Sequence, residues 1–215
     1  MGRFDDERAE MIALLQERGI ADPALLRAMS VVPRHLFVPE PFTSRSYEDS
    51  ALPIGKMQTI SQPYTVAFMT QALGARAGQK ILEVGTGSGY QAAILAEMGA
   101  RVFSIERNLD LLATARKILD RLKYRVVAKA GDGTIGWNEF APFDGIIVTA
   151  GAPEVPAPLT KQLAEGGRLV IPVGSLATQT LLVMTRHGDE CERRSLDGFK
   201  FVPLIGKMGW GPGDN

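Results

Sequence analysis

The chain has 215 residues, 45% of them hydrophobic and 22% charged, which excludes disordered and collagen-like chains and allows one domain with a sizeable core. Lys and Arg together number 24, as do Asp and Glu, so the chain has no net positive charge that would attract nucleic acid or an anionic membrane. The single cysteine cannot form an internal disulfide and the two histidines are far apart, so we expect no metal site. The polar N-terminus and the lack of any apolar run near about 18 residues predict a cytoplasmic protein without signal peptide or membrane span.

Residues 1–78 have the pattern of a helical N-terminal extension that carries a long loop. Two helices are predicted first, and the second begins at Asp22-Pro23, because Asp caps a helix and Pro is tolerated at its first position. Residues 39–62 are punctuated by Pro and Gly, and a connection of that length is typical of a functional loop. A helix over residues 63–73 completes the extension.

From residue 79 onward, short apolar runs alternate with helical patterns, which is typical of βαβ units around a mostly parallel sheet. Strands are predicted at 80–84, 101–105, 125–129, 143–148, 168–172 and 180–186. Helices are predicted at 90–98, 109–122 and 158–164, the last of them stopped by Gly166-Gly167. Residues 79–195 therefore form the core of a single domain, and in the segment 196–215 we expect an edge strand at 199–205 and a loose tail at 211–215.

The strongest local signal is the segment ILEVGTGSGY at residues 81–90, where a predicted strand runs into three glycines and then a helix. Glycine lets the chain turn tightly and lets the backbone approach a ligand closely. A dinucleotide fingerprint would need glycine at Tyr90, which disfavours a nicotinamide dehydrogenase. An acidic residue just ahead of the loop is typical of S-adenosylmethionine sites. The predicted cofactor contacts here are Glu83, Gly85, Thr86, Gly87, Ser88 and Gly89.

Two further acidic residues follow the next two predicted strands. Glu106, with Arg107 beside it, lies about 20 residues beyond the glycines, where a carboxylate accepts hydrogen bonds from ribose hydroxyls. The alternative is an ordinary surface glutamate. Asp132, between Gly131 and Gly133, could accept from an adenine amino group, although Gly-Asp-Gly is also a good turn. The glycine loop, Glu106 and Asp132 all fall at the carboxyl ends of predicted strands, the edge where open α/β sheets bind ligands.

Together with segments outside the cofactor motifs, these residues resemble the protein-L-isoaspartate O-methyltransferases over nearly the whole chain. The most specific segment is QTISQP at 58–63, and PRHLFVP at 33–39 and FVPLI at 201–205 also match, whereas TAGAP at 149–153 is shared more loosely with other methyltransferases. The resemblance implies an α/β, Rossmann-like class I methyltransferase fold with a mostly parallel, doubly wound sheet. One departure is Met57, where the family usually has glycine, and it bears on the shape of the loop tip and on substrate selectivity.

The resemblance implies methyl transfer from S-adenosylmethionine to the free carboxylate of L-isoaspartyl residues in damaged proteins, which starts their repair through a succinimide. It places Ser61 at the catalytic position, with Thr59 close by. The acceptor carboxylate is already ionised at pH 7, so a residue that orients it suffices and no general base is needed. Ser61 could instead cap the helix that follows it. The expected partners are isoaspartyl proteins and peptides, with no nucleic acid and no membrane, and the expected state is a monomer.

Other functions remain open at this point. Adenine and cytosine amino-methyltransferases would carry Asn/Asp-Pro-Pro-Tyr/Phe after the fourth strand, where this chain has TAGAP, and the neutral charge leaves no phosphate footprint. A methyltransferase of the same fold with a small-molecule acceptor is not excluded. Neither is a non-catalytic S-adenosylmethionine-binding protein, although such proteins tend to lose the glycines or the ribose acid, which are intact here.

Overall fold

The computed structural model describes residues 2–211 and 213, so part of the predicted loose tail, at residues 212, 214 and 215, lies outside the described residues. The chain begins with helices α1 (Arg3–Glu17) and α2 (Pro23–Val31), followed by two short 3-10 turns, Arg34–Phe37 and Glu40–Arg45. The predicted start of α2 is confirmed, because the Asp22 side chain accepts hydrogen bonds from the backbone N–H groups of Ala24 and Leu25.

The long loop contains a small antiparallel hairpin that the sequence pattern did not reveal. Strand β1 (Leu52–Gly55) pairs with β2 (Gln58–Ile60), and helix α3 (Pro63–Leu73) follows with its predicted bounds. We call residues 52–61 the flap. Lys56 and Met57 form its tip, both with positive φ, which matches the turn type that suits the twist of a two-residue hairpin.

The rest of the chain forms a seven-stranded sheet in the order β5-β4-β3-β6-β7-β8-β9. The strands are β3 (Lys80–Val84), β4 (Arg101–Glu106), β5 (Val126–Ala130), β6 (Phe143–Val148), β7 (Leu163–Gly174), β8 (Gln179–His187) and β9 (Glu190–Phe199). The helices between them are α4 (Tyr90–Glu97), α5 (Leu109–Arg121) and α6 (Ala157–Lys161), with 3-10 turns at Gly133–Ile135 and Asn138–Phe140. Pairing is parallel from β5 to β7 and antiparallel for β8 and β9, which confirms the predicted mostly parallel α/β sheet.

Both faces of the sheet are buried, because successive side chains along a strand point to opposite sides. Ile81 and Val102 belong to the core shared with α1–α4, whereas Leu82 and Phe103 belong to the core that includes Trp137. The chain crosses the sheet between β5 and β6, so the order of strands reverses beside β3. This reversal opens a crevice at the carboxyl ends of β3 and β6, the place where such sheets bind ligands.

The predicted helix 158–164 is too long. Helix α6 ends at Lys161, and β7 begins two residues later, because the carbonyl of Gln162 accepts a hydrogen bond from the N–H of Phe143 at 2.8 Å. The two glycines predicted to stop the helix lie inside β7, at an irregularity in its pairing with β6. A Cβ on Gly167 would stand 2.9 Å from the Ala164 carbonyl oxygen, so the backbone is too close there for a side chain.

The predicted edge strand 199–205 is wrong. The edge of the sheet is β9, whose sequence is largely polar and charged, as is common for edge strands that must not pair with other chains. The apolar segment that follows it turns back toward the crevice. Gly151 donates to the Val202 carbonyl and accepts from the Leu204 N–H, both at 2.8 Å. The C-terminal segment therefore runs across the carboxyl ends of the strands.

Candidate active site

A cavity of about 1020 Å³, counting the solvent at its mouth, lies between the flap, the carboxyl ends of the parallel strands and the C-terminal segment. The predicted site residues that line it are Thr59, Ser61, Gly85, Thr86, Gly87, Ser88, Glu106, Arg107 and Gly133. Glu83, Gly89, Gly131 and Asp132, all within the described part of the chain, are not among its lining residues.

The glycine loop forms the floor of this cavity, and its shape explains why glycine stands there. Gly85 has φ +98°, and a Cβ on it would lie 2.4 Å from the Thr149 hydroxyl oxygen. Gly87 has φ +51°. After β5, which is separated from β3 by β4, a Cβ on Gly133 would meet Val84 at 2.3 Å. Side chains at Gly85 and Gly133 would collide with Thr149 and Val84, so glycine lets these backbone segments pack closely where they line the cavity.

Glu106 places a carboxylate in the cavity wall, and only 6% of the residue is exposed. Its Oε2 atom accepts from the N–H of Gly87 and its Oε1 atom from the N–H of Asn108, each at 2.9 Å. A carboxylate oxygen can accept more than one hydrogen bond, so both atoms keep capacity toward the cavity. The backbone of Gly85, Gly87 and Gly133 forms what we call the glycine cradle. A buried acceptor such as Glu106 beside this cradle fits the ribose diol of S-adenosylmethionine.

The Asp132 side chain is held by three hydrogen bonds within the protein, and its contact with adenine stays a prediction. Its Oδ1 atom accepts from the N–H and hydroxyl of Thr134 at 2.8 and 2.7 Å, and its Oδ2 atom accepts from the N–H of Lys207 at 2.7 Å. Burial by itself would raise the pKa of Asp132, but these hydrogen bonds and the positive charge of Arg107 outweigh it and lower the pKa. The carboxylate thus attaches the C-terminal segment to the end of β5, while Gly133 beside it faces the cavity.

Glu83 lies below the glycine loop and is fully buried. Its Oε2 atom accepts from the Ser104 hydroxyl, which also shares a hydrogen bond with the Thr86 hydroxyl. Burial raises the pKa of Glu83 to about 8, although the bond from Ser104 opposes the change. The residue supports the loop through Ser104 and Thr86, and its predicted direct contact with the cofactor stays a prediction.

Ser61 follows β2 at the base of the flap, and it lines both the large cavity and a smaller neighbouring one. The two cavities share the residues Thr59, Ser61, Thr65, Thr149 and Val202 in their linings. The alternative role of Ser61 as a helix cap is wrong, because the cap of α3 is Gln62 and the Tyr64 N–H donates to the Asp49 carboxylate at 2.8 Å. The Ser61 hydroxyl therefore does not cap the helix.

The flap tip reaches across to the helix that follows Glu106. The Lys56 ammonium lies 2.6 Å from the Asp110 carboxylate near the start of α5, and its hydrogen bond lowers the pKa of Asp110. Met57 is 87% exposed, with φ +54°. The backbone at Met57 thus adopts the left-handed angle that a glycine would favour, and its side chain projects into solvent. Lys56, but not Met57, is among the described residues that line the cavity.

Thr149 is a residue of this site that the sequence did not single out for a role. Its hydroxyl donates to the Gly85 carbonyl at 2.7 Å, and its N–H donates to the Val84 carbonyl at 3.0 Å. It therefore fixes the first glycine of the loop from the neighbouring strand. Its position directly after β6, at the same edge as the other motifs, is the signal that could have found it.

In the described part of the chain, no group of three or more His, Cys, Asp or Glu side chains is placed to hold a metal ion. Among the helices in that part of the chain, none has the length and apolar character to cross a bilayer.

The fold is shared with solved methyltransferases. The precorrin-6y C5,15-methyltransferase from Geobacter metallireducens superposes with a TM-score of 0.51 at 17% identity, over 66% of this chain and 88% of that one. With the glycine cradle and the buried acid of β4 at its edge, this is the fold of the class I methyltransferases.

More specific matches follow from the sequence. The family model described as protein-L-isoaspartate(D-aspartate) O-methyltransferase matches residues 6–209, and the chain belongs to this family. The protein-L-isoaspartate O-methyltransferase of Syntrophus aciditrophicus is 53% identical over 98% of this chain and 99% of its own length. The structure of a putative member from Plasmodium falciparum, in complex with S-adenosyl-L-homocysteine, superposes with a TM-score of 0.82 at 28% identity, over 92% of this chain and 98% of that one.

Proposed function

We propose that this enzyme transfers a methyl group from S-adenosylmethionine to the free carboxylate of L-isoaspartyl residues in damaged proteins and peptides, the step that starts their repair through a succinimide. Membership of the family supports the reaction. The observation that carries the assignment of the site is the placement of Thr59 and Ser61 in the lining shared by the two cavities. If a ligand occupied each cavity, the two ligands would lie next to each other at Thr59 and Ser61.

The cofactor side of the reaction belongs to the glycine cradle. Gly85, Gly87 and Gly133 offer backbone surface, and Glu106 offers acceptor oxygens for the ribose hydroxyls. When bound, S-adenosylmethionine supplies a methyl group on a positively charged sulfur that leaves as a neutral thioether. Glu83 and Thr149 hold the loop in shape from behind.

The acceptor side belongs to the flap. An isoaspartyl carboxyl with a pKa near the ordinary value of about 3.9 is ionised at neutral pH, so the enzyme does not need to remove a proton from it. The Ser61 hydroxyl donates a hydrogen bond to one carboxylate oxygen and thereby directs the other toward the methyl group, with Thr59 beside it. Orientation of this kind supplies up to roughly 7–11 kcal/mol of a reaction barrier. The flap also excludes water from the charged nucleophile.

We further propose that the enzyme acts as a monomer in the cytoplasm and that it binds no nucleic acid. A single chain supplies every residue named above for the two cavities, which supports the monomer. The solitary Cys191 suits a reducing compartment, and the balance of 24 basic and 24 acidic residues gives no footprint for phosphate.

The test offers the enzyme two peptides that differ only in one residue, an isoaspartyl and its normal aspartyl twin, with cofactor labelled in the methyl group. We expect labelled methyl ester on the isoaspartyl peptide alone. Equal labelling of both peptides, or of neither, would contradict the proposed substrate. Competition with double-stranded DNA in the same assay should leave the rate unchanged.

A further inference from the structure

Arg34 is fully buried within the N-terminal extension, in the 3-10 turn that follows α2. Its Nε atom donates to the Ser46 carbonyl at 2.7 Å, and its Nη2 atom donates to the Ser61 carbonyl at 2.8 Å. Among the described residues no carboxylate forms an ion pair with it and Nη1 has no hydrogen bond of normal geometry, while the nearby Asp49 and Tyr90 side chains partly stabilise the charge. Burial lowers the pKa of this guanidinium, which marks its surroundings as unfavourable for a charge.

The Arg34 guanidinium also contacts Tyr90, the residue that follows the glycine loop. Its central carbon lies 4.9 Å from the centre of the Tyr90 ring, close enough for a cation–π contact. Tyr90 is itself buried and is the first residue of α4, directly after the glycine loop. The edge of the Phe37 ring packs on Tyr90 from the same turn as Arg34, at 5.6 Å between ring centres.

Arg34 therefore links Ser61, the residue proposed to orient the acceptor carboxylate, with helix α4, which begins directly after the glycine loop. A buried and incompletely satisfied charge is destabilising in itself, so packing alone does not account for it. A planar fork with several donors can bind two carbonyl groups at fixed angles, which a hydrophobic side chain cannot do.

We infer that Arg34 is a positioning residue for methyl transfer, which holds the backbone of Ser61 at a fixed place relative to Tyr90 and the glycine loop. The inference rests on the proposed role of Ser61. A displacement of reacting groups by about 1 Å can lower a rate by about 100-fold, so a tether on the Ser61 backbone acts on the chemistry without touching the substrate.

The experiment compares Arg34→Met and Arg34→Lys with the unmutated enzyme in the isoaspartyl peptide assay. We expect Arg34→Met to lower kcat roughly 10- to 100-fold, while the Kd for S-adenosyl-L-homocysteine in calorimetry changes by less than about threefold. Arg34→Lys, which keeps a donor and the charge, should recover part of the loss. The control is Arg186→Met, because Arg186 of β8 also donates to backbone carbonyls, those of Leu163 in β7 and Gly188, but is not among the described residues that line the cavity.

A double-mutant cycle with Ser61→Ala then separates positioning from general destabilisation. If Arg34 acts through Ser61, the double variant should lose little more activity than the more damaged single variant, whereas independent effects would multiply. An unchanged kcat in Arg34→Met, multiplying effects, or normal turnover of Ser61→Ala overturns the inference. If Arg34→Met does not fold, the same cycle with Arg34→Lys decides. An unmutated enzyme that labels no isoaspartyl peptide would instead contradict the proposed function.

Discussion

The Oε2 atom of Glu106 accepts a hydrogen bond from the backbone N–H of Gly87, 2.9 Å away and 19 positions earlier in the chain. The last residue of β4 therefore holds the middle glycine of the loop that follows β3. Its other oxygen binds the N–H of Asn108, whose side chain caps α5. The Glu106 carboxylate thus fixes the glycine loop after β3 relative to the end of β4, and it lines the cavity there.

The first prediction concerns Glu106→Ala. We expect the affinity for S-adenosyl-L-homocysteine to fall roughly 10- to 100-fold, because hydrogen bonds to a charged group are each worth about 1.5–3 kcal/mol. Isothermal calorimetry measures this directly. Glu10→Ala removes an exposed glutamate of α1 and should leave the affinity unchanged. An affinity within twofold of the unmutated enzyme would show that Glu106 does not bind the ribose.

The second prediction separates the acceptor side from the cofactor side. Ser61→Ala removes the hydroxyl that orients the carboxylate, so kcat/KM for the isoaspartyl peptide should fall by about 10- to 100-fold. Cofactor affinity should stay within about twofold, since Ser61 lies outside the glycine cradle. Ser30→Ala serves as the control, because that hydroxyl is exposed at the end of α2 and bonds only to the Arg27 carbonyl in the structure. A normal rate in Ser61→Ala would refute the role.

The third prediction follows from the raised pKa of Glu83. The group has a pKa of about 8 in the folded protein and 4.5 as its ordinary value, so between these pH values the folded state holds a proton that the unfolded chain has released. The stability that this proton provides is complete below about pH 4.5 and is lost as pH rises toward 8. The slope is at most about 1.4 kcal/mol per pH unit.

Glu83→Gln keeps the shape of the side chain but cannot ionise. We therefore expect the free energy of unfolding of this variant, relative to the unmutated enzyme, to increase from about pH 5 to about pH 8. Denaturant unfolding at several pH values measures the difference. Glu139→Gln, at an exposed glutamate, is the control. Parallel pH profiles for Glu83→Gln and the unmutated enzyme would mean that Glu83 is already ionised in the folded state.

The sheet was largely predictable because its inner strands are buried on both faces and read as continuous apolar runs. The bounds of β3 and β6 match the prediction, and β5 is shifted by one residue. The errors fall where burial gives no such signal. The edge strand β9 is largely polar, and the segment 202–204 is apolar because it packs over the crevice and not because it joins the sheet.

At the site, the sequence could specify the chemical type of each residue but not where its side chain points. One partner of Asp132 is the Lys207 N–H, 75 positions away, and no local pattern predicts that contact. Glu83 precedes the glycines in the sequence, but only the structure shows that its side chain is fully buried beneath the loop. Arg34 has no signature at all as a buried charge, since arginine is common on surfaces.

The last prediction concerns Met57 at the flap tip. Its φ of +54° costs a residue with a Cβ about 1–2 kcal/mol, and glycine avoids this penalty. Glycine also gains about 0.4–1 kcal/mol of entropy in the unfolded chain, which opposes the benefit. We therefore expect Met57→Gly to stabilise the enzyme modestly, by less than about 1.5 kcal/mol in denaturant unfolding. Met57→Ala keeps the strained angle and should give no gain. Because the side chain is exposed and the backbone angle is unchanged, kcat for the isoaspartyl peptide should stay within about twofold in both variants. A large fall in kcat or rise in KM for either variant would show that the Met57 side chain contacts the peptide.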